Sequence, residues 1–274
     1  KDYKAAGLFD RAESLLEQLS DSRQFGFKSL KLLLDIYEHE KEWLHAVNRA
    51  QGMDLKKYPE IALRVAQYYC EIAEVNLGLK LLREARSSFK KALAIHKTCF
   101  RALLGLACLD IKSKEYASAI YHLKELAELS PEYIVLVLPL LLECTKETDT
   151  FEQHQYYLHK LLSETGQLPV MLALVESMMA QGDKAKATAF LIDRVSCSPS
   201  MVALKALFTL DLSDKGLSEE LLQIVIQVVD QVTNESEQYR CGQCGFSGGH
   251  LHWMCPSCKS WQTVKPVVEY ERAQ

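Results

Sequence analysis

No stretch of this sequence is apolar for long enough to cross a membrane. The longest, around Ile134 to Leu142, falls well short of the ~20 residues required and is interrupted by Pro139. The chain as it stands is therefore expected to be soluble. Glycine and proline are scarce, 12 and 7 among 274 residues, which excludes a collagenous or low-complexity chain. With 48% hydrophobic and 25% charged residues the balance is that of a globular protein. No long run of one charge sign is present either: 32 Lys and Arg face 36 Asp and Glu, a net charge of −4. A phosphate backbone would have little to hold, so nucleic acid is excluded as the expected partner. The sequence also lacks a glycine-rich phosphate loop, a nucleophile elbow and a His-Glu-x-x-His pattern. Carboxylate pairs such as Asp35 with Glu38 and Glu125 with Glu128 fall at helical spacing in amphipathic segments, where solvated charge is expected rather than acid–base chemistry. The expectation is a protein that is not an enzyme. Because the chain starts with Lys1 inside a pattern that already reads as helix, an upstream segment is expected.

The cysteines are unevenly placed. Of nine, Cys70, Cys99, Cys108, Cys144 and Cys197 are scattered singly through helical sequence and read as small buried hydrophobes. The other four crowd between Cys241 and Cys258, a distribution that suits a reducing compartment and a metal site better than a disulfide framework.

Most of the chain is organised by a repeat. Phe9-x-x-Ala12-x-x-x-Leu16, Trp43-x-x-Ala46-x-x-x-Ala50, Leu82-x-x-Ala85-x-x-x-Phe89 and Tyr116-x-x-Ala119-x-x-x-Leu123 share one pattern. Ala12 to Ala46 and Ala85 to Ala119 are both 34 residues, and Ala187 lies 68 beyond Ala119. Pro131 and Pro199 fall at the same phase. A small residue lets two helices cross closely, and the following aromatic or Leu fills the gap to the next pair. The pattern resembles the tetratricopeptide repeat over roughly residues 1–200, which implies a superhelix of antiparallel helix pairs. Two departures are visible. Ala46 to Ala85 spans 39 residues, predicting a longer connection around Gly52 to Pro59, and the unit 134–167 has Gln153 or His154 where Ala belongs. Residues 201–235 read as two capping helices with Ser213 to Gly216 between them.

The second constellation is Cys241-x-x-Cys244 followed by Cys255-x-x-Cys258. Each Cys-x-x-Cys turn offers two sulfurs from one tight loop, and two such turns close a tetrahedral shell around one ion, iron or zinc. Gly245 supplies the left-handed backbone position after the first pair, whereas Lys259 stands at that place after the second, at a cost of about 1 kcal/mol if the conformation is kept. His250 and His252 lie between the pairs, but four sulfurs complete the shell without them. Tyr239-Arg-Cys-Gly-Gln-Cys-Gly-Phe246 with Trp253-Met-Cys-Pro-Ser-Cys258 and Trp261 resembles the rubredoxin-type ribbon. Tyr239, Phe246, Trp253 and Trp261 are more apolar surface than so small a ribbon encloses, so docking on the repeats is expected, with Thr233 to Gln238 as a tether otherwise.

This order of parts, the ribbon residues and Gly-Leu-Phe-Asp-Arg-Ala-Glu from Gly7 to Glu13 resemble the lipopolysaccharide assembly protein B family. The resemblance implies an all-α repeat domain, 1–235, followed by a rubredoxin-like metal ribbon, 236–274. It implies an adaptor at the cytoplasmic face of the bacterial inner membrane that promotes turnover of the lipid A pathway deacetylase by a membrane-anchored AAA+ protease. Membrane proteins of lipopolysaccharide assembly are further implied partners, and a homo-oligomer is left open. The competing reading is an electron-transfer protein whose repeats dock a redox partner. From Tyr239 onward, four Lys and Arg face two Asp and Glu, too mild a bias for a nucleic-acid-binding ribbon.

The repeat phase also places a partner surface. The first helix of each pair lines the concave face of such an array, which assigns Arg101, Leu104, Cys108, Ile111 and Lys112 to it, then Leu138 and Leu142, then Leu172, Glu176 and Met179. An apolar groove with a polar margin would take a partner helix or an extended segment.

Overall fold

The structure, a computed structural model, describes residues 9–20, 26–197, 200–211 and 238–267. They form an all-α array of helical repeats and a small C-terminal ribbon, the architecture expected above. No helix among the described residues is long and apolar enough to cross a membrane. The chain divides into two compact units, residues 1–109 and 110–274.

The first unit holds α1 (Phe9–Ser20), α2 (Gly26–Glu40), α3 (Trp43–Ala50), α4 (Pro59–Gly78), α5 (Leu82–Ile95) and most of α6 (Phe100–Lys112). Consecutive helices pack on one another, α4 and α5 most extensively. The alanines that set the repeat phase sit where the helices cross: Ala46 and Ala85 are completely buried, and Ala12 nearly so. Small side chains also line the facing surface of α4, at Ala66, Cys70 and Ala73. Phe89 projects from α5 onto Gly105 of α6, where any Cβ would overlap its ring, so the gap to the next pair is filled by an aromatic over a bare backbone. The long connection expected between the second and third repeats is present between Ala50 and Pro59.

Two arginines cross-link the first helices of successive repeats in this unit. Arg64 on α4 reaches back to Asp35 and Glu38 on α2, both at 2.9 Å, and Tyr68 donates its hydroxyl to the same Glu38 at 2.7 Å. Arg101 on α6 does the same to α4, donating to Glu71 at 2.8 Å and to Glu74 at 2.9 Å. The Asp35 and Glu38 pair is thus part of a clamp instead of a solvated face, since the side chain of Glu38 is only 13% exposed. Of the scattered cysteines, Cys70, Cys99 and Cys144 are buried, as read from the sequence. Cys70 and Cys99 are both fully buried, but their sulfurs lie 3.8 Å apart, so they are neighbours in space.

The second unit continues with α7 (Tyr116–Leu129), a 3₁₀ turn (Pro131–Tyr133), α8 (Ile134–Thr148), α9 (Phe151–Thr165), α10 (Leu168–Gln181), α11 (Lys184–Cys197) and α12 (Met201–Asp211). Pro131 opens the 3₁₀ turn, and Pro139 lies within α8. Pro199, residues 212–235 of the two expected capping helices and residues 233–237 of the expected tether lie outside the described residues. At the end of α6 the fully buried Asp110 accepts from Ser118 at 2.8 Å and meets His122 at 3.0 Å, both on α7.

The second helix of each repeat starts the same way. The backbone N–H of Ala46, Ala85, Ala119 and Ala187 donates to the carbonyl four residues earlier, at 3.0 to 3.1 Å, and in the degenerate unit the donor is His154, to Thr150 at 3.1 Å. His154, and not Gln153, therefore stands at the alanine position. Five residues before each of these, the chain passes through a left-handed turn, at Lys41, Lys80, Lys114, Asp149 and Gly182. Only the last uses the residue that adopts this conformation without strain.

His154 is 5% exposed; its Nδ1 lies 3.2 Å from Ser177 Oγ, and its Nε2 has no hydrogen-bond partner among the described residues. Burial, aided by Lys124, lowers its pKa to about 4. The unfolded chain, with an ordinary histidine near 6.5, binds the proton first, so stability is complete above pH ~6.5 and falls as pH drops towards 4. The loss should approach about 3 kcal/mol over that window. Urea denaturation across pH 4–7 checks it, and His154→Ala, which restores the residue of the other repeats, should flatten this slope.

Candidate metal centre

The ribbon is a three-stranded antiparallel sheet of order β2-β1-β3, from β1 (Tyr239–Cys241), β2 (Ser247–Gly248) and β3 (Val264–Pro266). Tyr239 pairs with Gly248 on one side and Pro266 on the other, and Cys241 pairs with Val264. A bridge between Met254 and Trp261 closes the second knuckle.

The two Cys-x-x-Cys turns are built alike. In the first, Gly245 N–H donates to Cys241 O at 3.0 Å and Cys241 N–H to Phe246 O at 2.7 Å; in the second, Lys259 donates to Cys255 and Cys255 to Ser260, both at 2.9 Å. Gly245 has φ 77° and Lys259 φ 58°, so the lysine keeps the left-handed conformation expected at that position. These turns aim all four sulfurs at one point. Cys241, Cys244, Cys255 and Cys258 have their Sγ atoms within 4.8 Å of one another, with Cys241 to Cys258 at 3.8 Å and Cys244 to Cys255 at 3.7 Å. A tetrahedron with metal–sulfur bonds of about 2.3 Å has edges of about 3.8 Å, which these two distances match, so the cluster is able to coordinate one metal ion.

The surroundings favour thiolates at two corners. Thr263 Oγ1 lies 3.3 Å from Cys241 Sγ, and this contact with nearby backbone N–H groups lowers the Cys241 pKa to about 6. The hydroxyl and N–H of Ser260 lower that of Cys258. Desolvation raises Cys255, which is fully buried, to about 11. A bound cation would offset that burial cost. His250 and His252 are exposed and stand outside the cluster.

Of the four aromatics expected to dock, Tyr239 and Phe246 pack on the ribbon's own small core of Cys241, Cys255 and Val264. Trp261 is 7% exposed. Trp253 meets Tyr133 of the 3₁₀ turn, ring centroids 6.3 Å apart. Tyr133, itself buried, donates its hydroxyl to Val264 O at 3.1 Å, and Lys265 pairs with Glu132 at 2.7 Å. The ribbon is therefore seated on the helical repeats of the second unit, at the turn between α7 and α8. Tyr133, Glu132 and Lys265 were not singled out in the sequence; the one local cue is a bulky aromatic two residues after the phase-setting Pro131.

The residues assigned to the concave face separate by burial. Arg101, Leu138 and Leu142 are buried and offer no side-chain surface to a partner. Leu104, Cys108, Ile111, Leu172 and Met179 are partly exposed, and Lys112 and Glu176 are exposed.

Residues 239–266 match the rubredoxin metal binding domain family. Lipopolysaccharide assembly protein B of Haemophilus influenzae is 32% identical over 273 residues, which cover 99% of this chain and 69% of that protein. Its namesake from Escherichia coli strain K12 is 28% identical over 269 residues, 97% of this chain and 69% of that protein. Among solved structures, a tetratricopeptide repeat protein from Parabacteroides merdae aligns with 83% of this chain and 94% of its own, at 15% identity and a TM-score of 0.37.

Proposed function

The chain belongs to the lipopolysaccharide assembly protein B family, and on that premise we propose that it is a non-catalytic adaptor in lipopolysaccharide synthesis. Its task in this reading is to present the deacetylase that commits precursor to lipid A to a membrane-anchored AAA+ protease, at the cytoplasmic face of the inner membrane. The observation that carries it is the match along 99% of the chain to a lipopolysaccharide assembly protein, with the ribbon's four thiols all kept within one coordination shell. The repeats supply surface and the ribbon a rigid end; neither holds an arrangement suited to bond breaking among the described residues. On this reading the four cysteines hold one iron or zinc ion whose role is to fix the ribbon against Tyr133.

The partner surface proposed is what remains accessible of the assigned residues within the second unit. There, Leu172, Glu176 and Met179 follow at helical spacing along one face of α10 and form the proposed surface. In a reconstituted degradation assay with purified deacetylase and protease, the full chain should accelerate loss of the deacetylase. Leu172→Ser with Met179→Ser should reduce that acceleration at least tenfold while helicity and metal content stay unchanged. No acceleration by the unaltered chain would overturn the adaptor reading; unchanged acceleration by the double variant would move the surface elsewhere. Iron-loaded and zinc-loaded chains should act equally, whereas an electron carrier would work only with iron.

A further inference from the structure

The turn between α4 and α5 combines two features that rarely coexist on a solvent-facing hairpin. Leu79, Leu81 and Leu82 are 65%, 42% and 43% exposed, three large apolar side chains within four residues. The residue between them is Lys80, held in a left-handed conformation with φ 61°, and Arg83 and Lys90 continue the exposed surface along α5. From Leu77 to Leu109 the sequence carries a single acidic residue, Glu84, in a chain whose net charge is −4. The cations are thus concentrated locally against the overall balance.

An apolar tip alone could be covered by many things, but an apolar tip with cations beside it, Glu84 being the one acid there, selects its counterpart. Leucines gain by leaving water, whereas lysine and arginine beside them gain only if anionic groups lie at the rim of the apolar phase. A bilayer surface containing anionic phospholipids has that layering, with acyl chains beneath a plane of phosphates. The lysine and arginine stems can also extend so that their charged ends stay at the phosphate level while the leucines enter. We propose that the α4–α5 turn is a peripheral membrane contact, which inserts Leu79, Leu81 and Leu82 at the headgroup boundary and pairs Lys80, Arg83 and Lys90 with lipid phosphates. The inference stands on this turn and is independent of the adaptor reading.

Flotation of the full metal-loaded chain with vesicles tests it. Binding to vesicles of 30% phosphatidylglycerol in phosphatidylethanolamine should exceed binding to pure phosphatidylcholine at least tenfold and should weaken with added salt. Charge reversal at Lys80, Arg83 and Lys90 should lower binding to the anionic vesicles by at least about 100-fold, since each basic residue near such a surface contributes about fivefold. Leu81→Ser with Leu82→Ser should lower it about tenfold at unchanged charge. Circular dichroism should report unaltered helicity in both variants, as these side chains are exposed. Equal binding to neutral and anionic vesicles, no binding to either, or binding insensitive to both variants would overturn the proposal. So would saturable binding of a soluble acidic peptide that the vesicles fail to displace, which would make the patch a protein site.

Discussion

Cys241→Ser and Cys258→Ser should each release the metal and unfold the ribbon. Too little apolar surface is enclosed by Cys241, Cys255 and Val264 with their partly buried neighbours to hold some 30 residues unaided. In small tetrahedral sites the ion supplies about 10–16 kcal/mol that is at the same time folding energy. Elemental analysis of each variant should fall from one equivalent of metal towards none. Amide hydrogen exchange should lose protection at Cys241 and Cys255, whose N–H groups are bonded within the knuckles, and at Gly242, which donates to Thr263. The effect should spread to the α7–α8 turn, because Tyr133 would lose Val264 and Trp253 as partners and Glu132 would lose Lys265. A full equivalent of metal in both single variants would refute the four-thiolate assignment.

Arg101→Met should be the most damaging substitution of a charged residue in the first unit, at about 3 kcal/mol. Its side chain is 4% exposed and forks between Glu71 at 2.8 Å and Glu74 at 2.7 Å. Removing one member of a buried ionic cluster costs about 3–5 kcal/mol because the remaining charges lose their partner. The lower end applies here, since Glu71 and Glu74 are 26% and 49% exposed and can regain water. Arg101→Lys keeps the charge but not the two-pronged geometry and should recover only part of the loss. Adding Glu71→Gln and Glu74→Gln to the methionine variant should recover more, as no uncompensated carboxylate then remains. Hydrogen exchange along α4 and α6 is the suitable measure, because it reports the opening of this unit separately from the rest.

These two predictions also mark where the sequence was informative. The coordinating shell was legible because each knuckle is a local demand: two sulfurs, a tight turn and a left-handed residue must lie within five positions. The repeat was legible for the same reason. Crossing helices require a small residue at a fixed phase, and Ala46, Ala85, Ala119 and Ala187 all proved completely buried. Even the irregular unit announced itself, although only the backbone register decides for His154 over Gln153. The arginine clamps were illegible because Asp35 and Glu38 at helical spacing look the same whether they face water or a cation 26 to 29 residues away. Arg101 was assigned to a partner surface on phase alone, and phase does not say that a neighbouring helix already supplies two glutamates. The proximity of Cys70 to Cys99 and the seat of the ribbon on Tyr133 have the same origin: both depend on packing between segments distant in the chain.

The hydroxyl of Tyr133 and the carbonyl of Val264 are 131 residues apart in sequence. Arrays of helical repeats are built from short-range contacts, so each pair can fold as soon as it leaves the ribosome and its neighbour follows. This bond obeys a different clock. It closes a loop that contains every helix from α8 to α12, and the entropy of that closure is recovered only when the last strand has been made and its sheet has formed. The seat at the α7–α8 turn therefore stays open until β3 has been made. Formation of this contact then reports that the chain has been translated through Val264 and, with the four thiols that lie between the two residues in sequence able to hold a metal ion, couples the seat to the ribbon's own folding.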